Sequence, residues 1–208
     1  MQLNPEDLPK HRYVLLDRLG HHDLAPFIRT YLKKRTTYSM LYYLCNLVVF
    51  GLTAYLFLQG HHTTGYDAGS RFSFFSYGIA IAFALVPLHE YIHVLAYQSQ
   101  GATQTSYNVN WKKFYFMALA DKFVANKKEF QVVALAPFAT ISSLLLVLFF
   151  LLPAAYQLTV AGCLLAHTAM CSGDFGLLSY FQFHKRMEVV TYDDVENNLS
   201  YFYGRDLN

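Results

Sequence analysis

The chain has 208 residues, of which 54% are hydrophobic and only 14% charged, well away from the roughly 25% charge of a soluble domain. This excludes a disordered chain, and the length suits a single membrane-embedded domain over residues 1–208 without internal repeats. The formal net charge of +2 is too small to point to nucleic acid, and the 17% aromatic content is of the Tyr and Phe type that collects at bilayer boundaries. Cys45, Cys163 and Cys171 are odd in number, sit in apolar runs and form no CxxC pair, which argues against a disulfide framework or a cysteine zinc site.

The polar, acidic start from Met1 to Asp7 lacks the basic residues and short apolar stretch of a cleavable signal, so the first residues are expected to be retained. Leu24, Phe27, Ile28, Tyr31 and Leu32 then recur at helical spacing, with Arg29, Lys33 and Lys34 at other positions. That pattern suits a helix at the headgroups or a solvated lead-in to the first span. Four stretches, 38–58, 72–98, 130–152 and 156–181, are long enough to cross a bilayer, which takes about 20 residues at about 1.5 Å each. Of the 16 basic residues, only Arg71 falls between the first two spans, and none falls between the last two. The positive-inside rule therefore predicts that both termini and the loop after the second span are cytoplasmic.

That loop opens at Gly101, alternates through Thr103, Thr105, Tyr107, Val109 and Trp111, breaks at Lys112 and Lys113, and resumes with Phe114, Phe116 and Ala118. The alternation predicts a short β-hairpin over roughly 103–118. The tail from His184 is polar and shows no chemistry. The expected fold is an all-α polytopic membrane protein of about four transmembrane helices, with that cytoplasmic hairpin between the second and third.

Ionisable groups inside spans are costly, so function is sought there. The second span contains His89-Glu90-Tyr91-Ile92-His93, an HExxH pattern. On a helix the two histidines share a face and can both ligate a metal, while Glu90 can hold a metal-bound water and take its proton. Mutual satisfaction of these groups inside an apolar helix is the structural alternative, and desolvation makes it an expensive one. A catalytic zinc needs a third ligand, and Asp174 in the fourth span is the candidate. His89 lies sixteen residues after Ser73 and Asp174 sixteen after Leu158, which puts both at about 24 Å depth in spans running the same way. An aspartate capping a helix break is the competing reading.

His167, seven residues before Asp174, is about 10.5 Å away along a straight axis and suits a supporting or cavity role better than the same metal. Cys171, one turn from Asp174, reads as a small buried thiol, although it could ligate zinc softly. Histidine and carboxylate ligands admit several first-row metals besides zinc.

At LHEYIHVLAY around the motif, ALAPF at Ala134 to Phe138 and SGDFG at Ser172 to Gly176, the chain resembles the small integral-membrane zincin peptidases. That is a bacterial family related to the site-2 proteases, and the resemblance covers roughly Ser73 to Tyr180. It implies zinc held by His89, His93 and Asp174, with Glu90 as catalytic base, in a multi-pass protein of the bacterial cytoplasmic membrane. The implied partner is a membrane-associated protein or peptide substrate. The larger site-2 group usually has Asp-Gly where this chain has Gly173-Asp174, and often Asn where it has Thr140. Two other classes stay open from the residues: a membrane metal-binding or transport protein using the same ligands, and a zincin-like scaffold without catalysis.

Overall fold

A computed structural model describes residues 3–110 and 115–207. These form two compact units. The first comprises Met1–Ser39, Glu90–Ala136 and Gly173–Asn208, and the second Met40–His89 and Pro137–Ser172. In chain order the elements are β1 (Val14–Gly20), α1 (Leu24–Leu32), α2 (Thr37–Thr64), α3 (Ala68–Ala84), α4 (Val86–Ser99), β2 (Thr105–Asn110) and β3 (Tyr115–Ala120). They continue with β4 (Ala125–Asn126), α5 (Lys127–Leu151), α6 (Ala154–Met170), α7 (Ser172–Phe183), β5 (Met187–Asp194) and β6 (Leu199–Asp206).

Thr37–Gly60, Ala68–Ser99 and Lys127–Leu151 are each long and apolar enough to cross a membrane. A fourth crossing exists if α6 and α7, bent by 40°, are one broken span. The chain is thus a multi-pass membrane protein by the length and composition of its helices. Side chains such as Leu47 and Phe150 stand 67% and 75% exposed, as apolar groups do where lipid takes the place of a protein partner. The second apolar stretch is two helices, α3 and α4, that meet at Leu85 just before Pro87, a residue that cannot return an N–H to the preceding turn.

The fold is not all-α. In the first unit β1, β6, β5 and β4 form an antiparallel sheet in that order, built from the N-terminal segment, from the tail that reads as merely polar and from the two residues of β4 just before α5. β5 carries three successive buried residues, Val189, Val190 and Thr191, because its two faces both meet cores, so its apolar residues form a short run without the alternation that marks a one-faced strand. Val189 and Phe202 enter one core with Tyr97, Phe130, Val133, Leu178, Tyr180 and Phe181, while Val190 joins Leu8, Tyr13 and Val124 on the other face. The sheet holds α7 in place. Tyr180 Oη donates to Asp17 Oδ2 of β1 at 2.7 Å, and Phe181 stacks on Phe130 of α5 with ring centroids 5.0 Å apart. Between α4 and α5, β2 and β3 pair antiparallel from Thr105↔Ala120 to Asn110↔Tyr115. The expected break at Lys112 and Lys113, with the flanking strand positions Trp111 and Phe114, lies outside the described residues.

In the second unit α3 crosses α6 at two glycines. A Cβ on Gly78 would lie 2.2 Å from the Thr159 carbonyl oxygen and 2.7 Å from the Cys163 nitrogen, and one on Gly162 would lie 2.9 Å from the Phe75 carbonyl oxygen. Close backbone approach through small residues is how helices pack where lipid removes the hydrophobic drive. The Thr159 hydroxyl reinforces the crossing by donating to the Phe74 carbonyl at 2.9 Å.

Two outcomes are expected. Gly78→Ala must push backbone off backbone and should lower thermal stability in detergent by several degrees or prevent accumulation, whereas Gly51→Ala, with nothing within 4 Å of the added carbon, should not. The second concerns Asp193, whose pKa burial raises to about 6, against hydrogen bonds from Ser200 and the Ala120 backbone. Its folded value lies above its unfolded one, so its contribution to stability is fully present below about pH 4 and lost as pH rises through about 6. Asp193→Asn should therefore stabilise the protein at pH 7.5, by on the order of 2 kcal/mol, and leave it unchanged near pH 4, read as melting temperature against pH.

Candidate metal centre

The HExxH pattern lies within α4, whose unbroken turns set His89 and His93 one turn apart on one face. His89 belongs to the second unit, and Glu90 and His93 to the first. In the first unit three helices meet at His93, which is 8% exposed. Its Nε2 lies 3.2 Å from Asp174 Oδ1, in the first turn of α7. Its Nδ1–H donates to the Val133 carbonyl of α5 at 2.9 Å.

That carbonyl has a sequence-level cause. In an α-helix it would receive the N–H of the residue four positions on, which is Pro137, and proline has none. Pro137 thus leaves an acceptor inside an apolar helix, and His93 takes it. With one ring proton on Nδ1, Nε2 is the nitrogen that faces Asp174, able to ligate a metal as the neutral ring or to donate to the carboxylate as the imidazolium. Glu90 is also held by backbone, its Oε2 accepting the Ala118 N–H of β3 at 2.8 Å. Since β3 pairs with β2 on its other side, this N–H points off the outer edge of the strand pair.

The donor set suits a divalent ion. Two ligands each about 2.0–2.2 Å from a tetrahedral zinc stand roughly 3.3–3.5 Å apart, close to the His93–Asp174 spacing. A carboxylate supplies charge, and the imidazole is oriented from behind by a backbone carbonyl, as metal-binding histidines commonly are.

The second unit holds another constellation. His89 Nδ1 is 3.4 Å from His167 Nε2, His167 Nδ1 is 3.3 Å from Ser142 Oγ, and Cys171 Sγ is 3.9 Å from His167 Nε2. The straight-axis separation of His167 from Asp174 does not apply, because the helix breaks at Cys171 between them. Pro137 stands in the sequence within ALAPF, whereas Val133 carries no side-chain signal of its own. The available signal was the proline inside a span, four residues after the carbonyl it frees.

Membrane-spanning helices, with an HExxH turn and an imidazole beside a carboxylate, set the chain among membrane proteins with a candidate metal centre. Residues 82–187, just over half of the chain, match the family described as "Putative zincin peptidase", and the chain belongs to that family. The matched region includes the HExxH turn, the β2–β3 pair, Pro137 and Asp174. Membership supports a zinc-dependent metallopeptidase. No curated protein and no solved structure matches the chain.

Proposed function

We propose that this protein is a zinc peptidase that hydrolyses peptide bonds within or beside the membrane, with His89, His93 and Asp174 as metal ligands and Glu90 as general base. The observation that carries the reading is the His93 Nε2–Asp174 Oδ1 spacing of 3.2 Å, with the far side of the imidazole tied to Val133. His89 completes the set from one turn earlier in the same helix. Zinc bound there would supply Lewis acidity, polarising the scissile carbonyl and lowering the pKa of water.

The chain's own residues do the rest. Glu90 follows the first ligand directly, so its carboxylate can take a proton from the attacking water as the oxygen adds to the carbonyl carbon. As the C–N bond breaks, the same carboxyl returns the proton to the departing amine. The Ala118 N–H steadies Glu90 for this role. Substrate must arrive as extended chain, because a helix shields its carbonyls. The outer edge of β3, beside Glu90, supports delivery by strand addition, in which main-chain hydrogen bonds hold the peptide whatever its side chains. Favoured substrates would be membrane proteins with helix-weakening residues near the scissile bond. The one-sided distribution of Lys and Arg supports a site opening to the cytoplasm, with both termini on that side.

Glu90→Gln should retain zinc, measured by metal analysis of the purified protein, and lose cleavage of a membrane-tethered reporter with a Gly/Pro-weakened span by about 10²-fold or more. Unchanged cleavage with zinc still bound would eliminate this mechanism. His93→Ala should lose one equivalent of zinc. Pro137→Ala, which gives Val133 back its helical donor, should weaken zinc binding by about 10-fold or more while leaving helix content intact by circular dichroism.

A further inference from the structure

His89, His167 and Cys171 share no role in peptide hydrolysis as a set, yet they converge inside one unit. His89, His167 and Cys171 are 8%, 2% and 0% exposed, and one donor atom from each lies within 4.8 Å of the others. Local structure explains the convergence. His167 and Cys171 are four residues apart at the end of α6, so they share a face, and Ser142 of α5, 3.3 Å from His167 Nδ1, turns the ring so that Nε2 faces His89 and the thiol.

Read as hydrogen bonds, the contacts among these three side chains are long. The two imidazoles meet at 3.4 Å, and the thiol sits 3.9 Å from Nε2 while also donating to the His167 carbonyl at 3.3 Å. As the edges of a coordination polyhedron the same spacings fit well. Ligand bonds of about 2.05 Å to nitrogen and 2.3 Å to sulfur place two nitrogens roughly 3.3 Å apart, and nitrogen and sulfur roughly 3.6 Å apart.

We infer that His89 Nδ1, His167 Nε2 and Cys171 Sγ form a second metal site, of two nitrogens and one thiolate, for a thiophilic d¹⁰ ion such as Cu⁺ or Zn²⁺. A thiolate with two imidazoles is a softer set than the histidines and carboxylate of the proposed zinc centre, and so selects a different ion. Binding replaces the thiol proton by the metal, and the proton passes to solvent. The site does not rest on the zinc reading, although it shares His89 with it. Where both hold, filling one alters affinity at the other, reciprocally.

The test uses the full-length protein purified in detergent, with Cd²⁺ alone as probe. The proposed zinc set contains no sulfur, so a thiolate-to-cadmium ultraviolet band reports on this cluster and not on that one. A Cys45→Ser, Cys163→Ala variant, with Cys171 as the sole thiol, should show the band at one Cd²⁺ per chain. The band should persist when His93→Ala and Asp174→Asn are added, and His167→Ala should weaken the binding it reports by tenfold or more. No band in the folded sole-thiol variant, or one indifferent to His167→Ala, overturns the proposal. Should that variant not fold, wild type and Cys171→Ser are compared, and equal bands in the two overturn it as well. Zinc loss on His93→Ala is a separate readout, so either site can fail without the other.

Discussion

The hydrogen bond from His93 to the Val133 carbonyl fixes more of this protein than its length suggests. Inside an apolar helix every backbone acceptor needs a partner, and Pro137 removes the one that geometry would have supplied. The orphaned carbonyl is a demand, and His93 Nδ1–H answers it at 2.9 Å. That answer orients the ring and turns the other nitrogen towards Asp174. One proline therefore couples the backbone of α5 to the orientation of a side chain on α4.

The sheet and α1 serve the same end. Asp174 is useful only if α7 cannot drift, and α7 is held by buried aromatics and by Tyr180 donating to Asp17 of β1. A Cβ on Gly176 would lie 2.6 Å from Ile28 Cγ2, so α1 rests directly on α7 just past the carboxylate. The sheet and α1 thus act as a brace for a residue that starts a helix in an apolar run. The second unit is built differently, by close crossing of α3 and α6 at glycines with hydroxyl-to-carbonyl bonds, because apolar contact with lipid gives helices little reason to associate.

Some of this was legible in the residues alone. Two histidines four apart in a helix must share a face whatever surrounds them, so the HExxH turn needed no tertiary information. The membrane character followed from composition and run length. Asp174 was reached by counting depth along straight helices. Asp174 Oδ1 does lie 3.2 Å from His93 Nε2, although the fourth apolar stretch is broken at Cys171 and the straight-helix premise of the count does not hold. The sheet was missed although Val190, Thr191 and Tyr192 face Tyr203, Phe202 and Tyr201 across a turn at Asn197 and Asn198, because these short apolar runs do not alternate and are flanked by charged residues that make the tail read as polar.

What the sequence determined by itself is whatever depends on neighbours within a turn or two: helix faces, span lengths, and the missing N–H of Pro137. What only the tertiary structure decided is which distant group each of these meets. That the orphaned Val133 carbonyl receives His93, that Glu90 meets the Ala118 N–H, and that His167 turns towards His89 and Cys171 are outcomes of packing between elements. A chain records its own periodicity locally, whereas the partner of a buried polar group is chosen by every element that competes to exclude water from it.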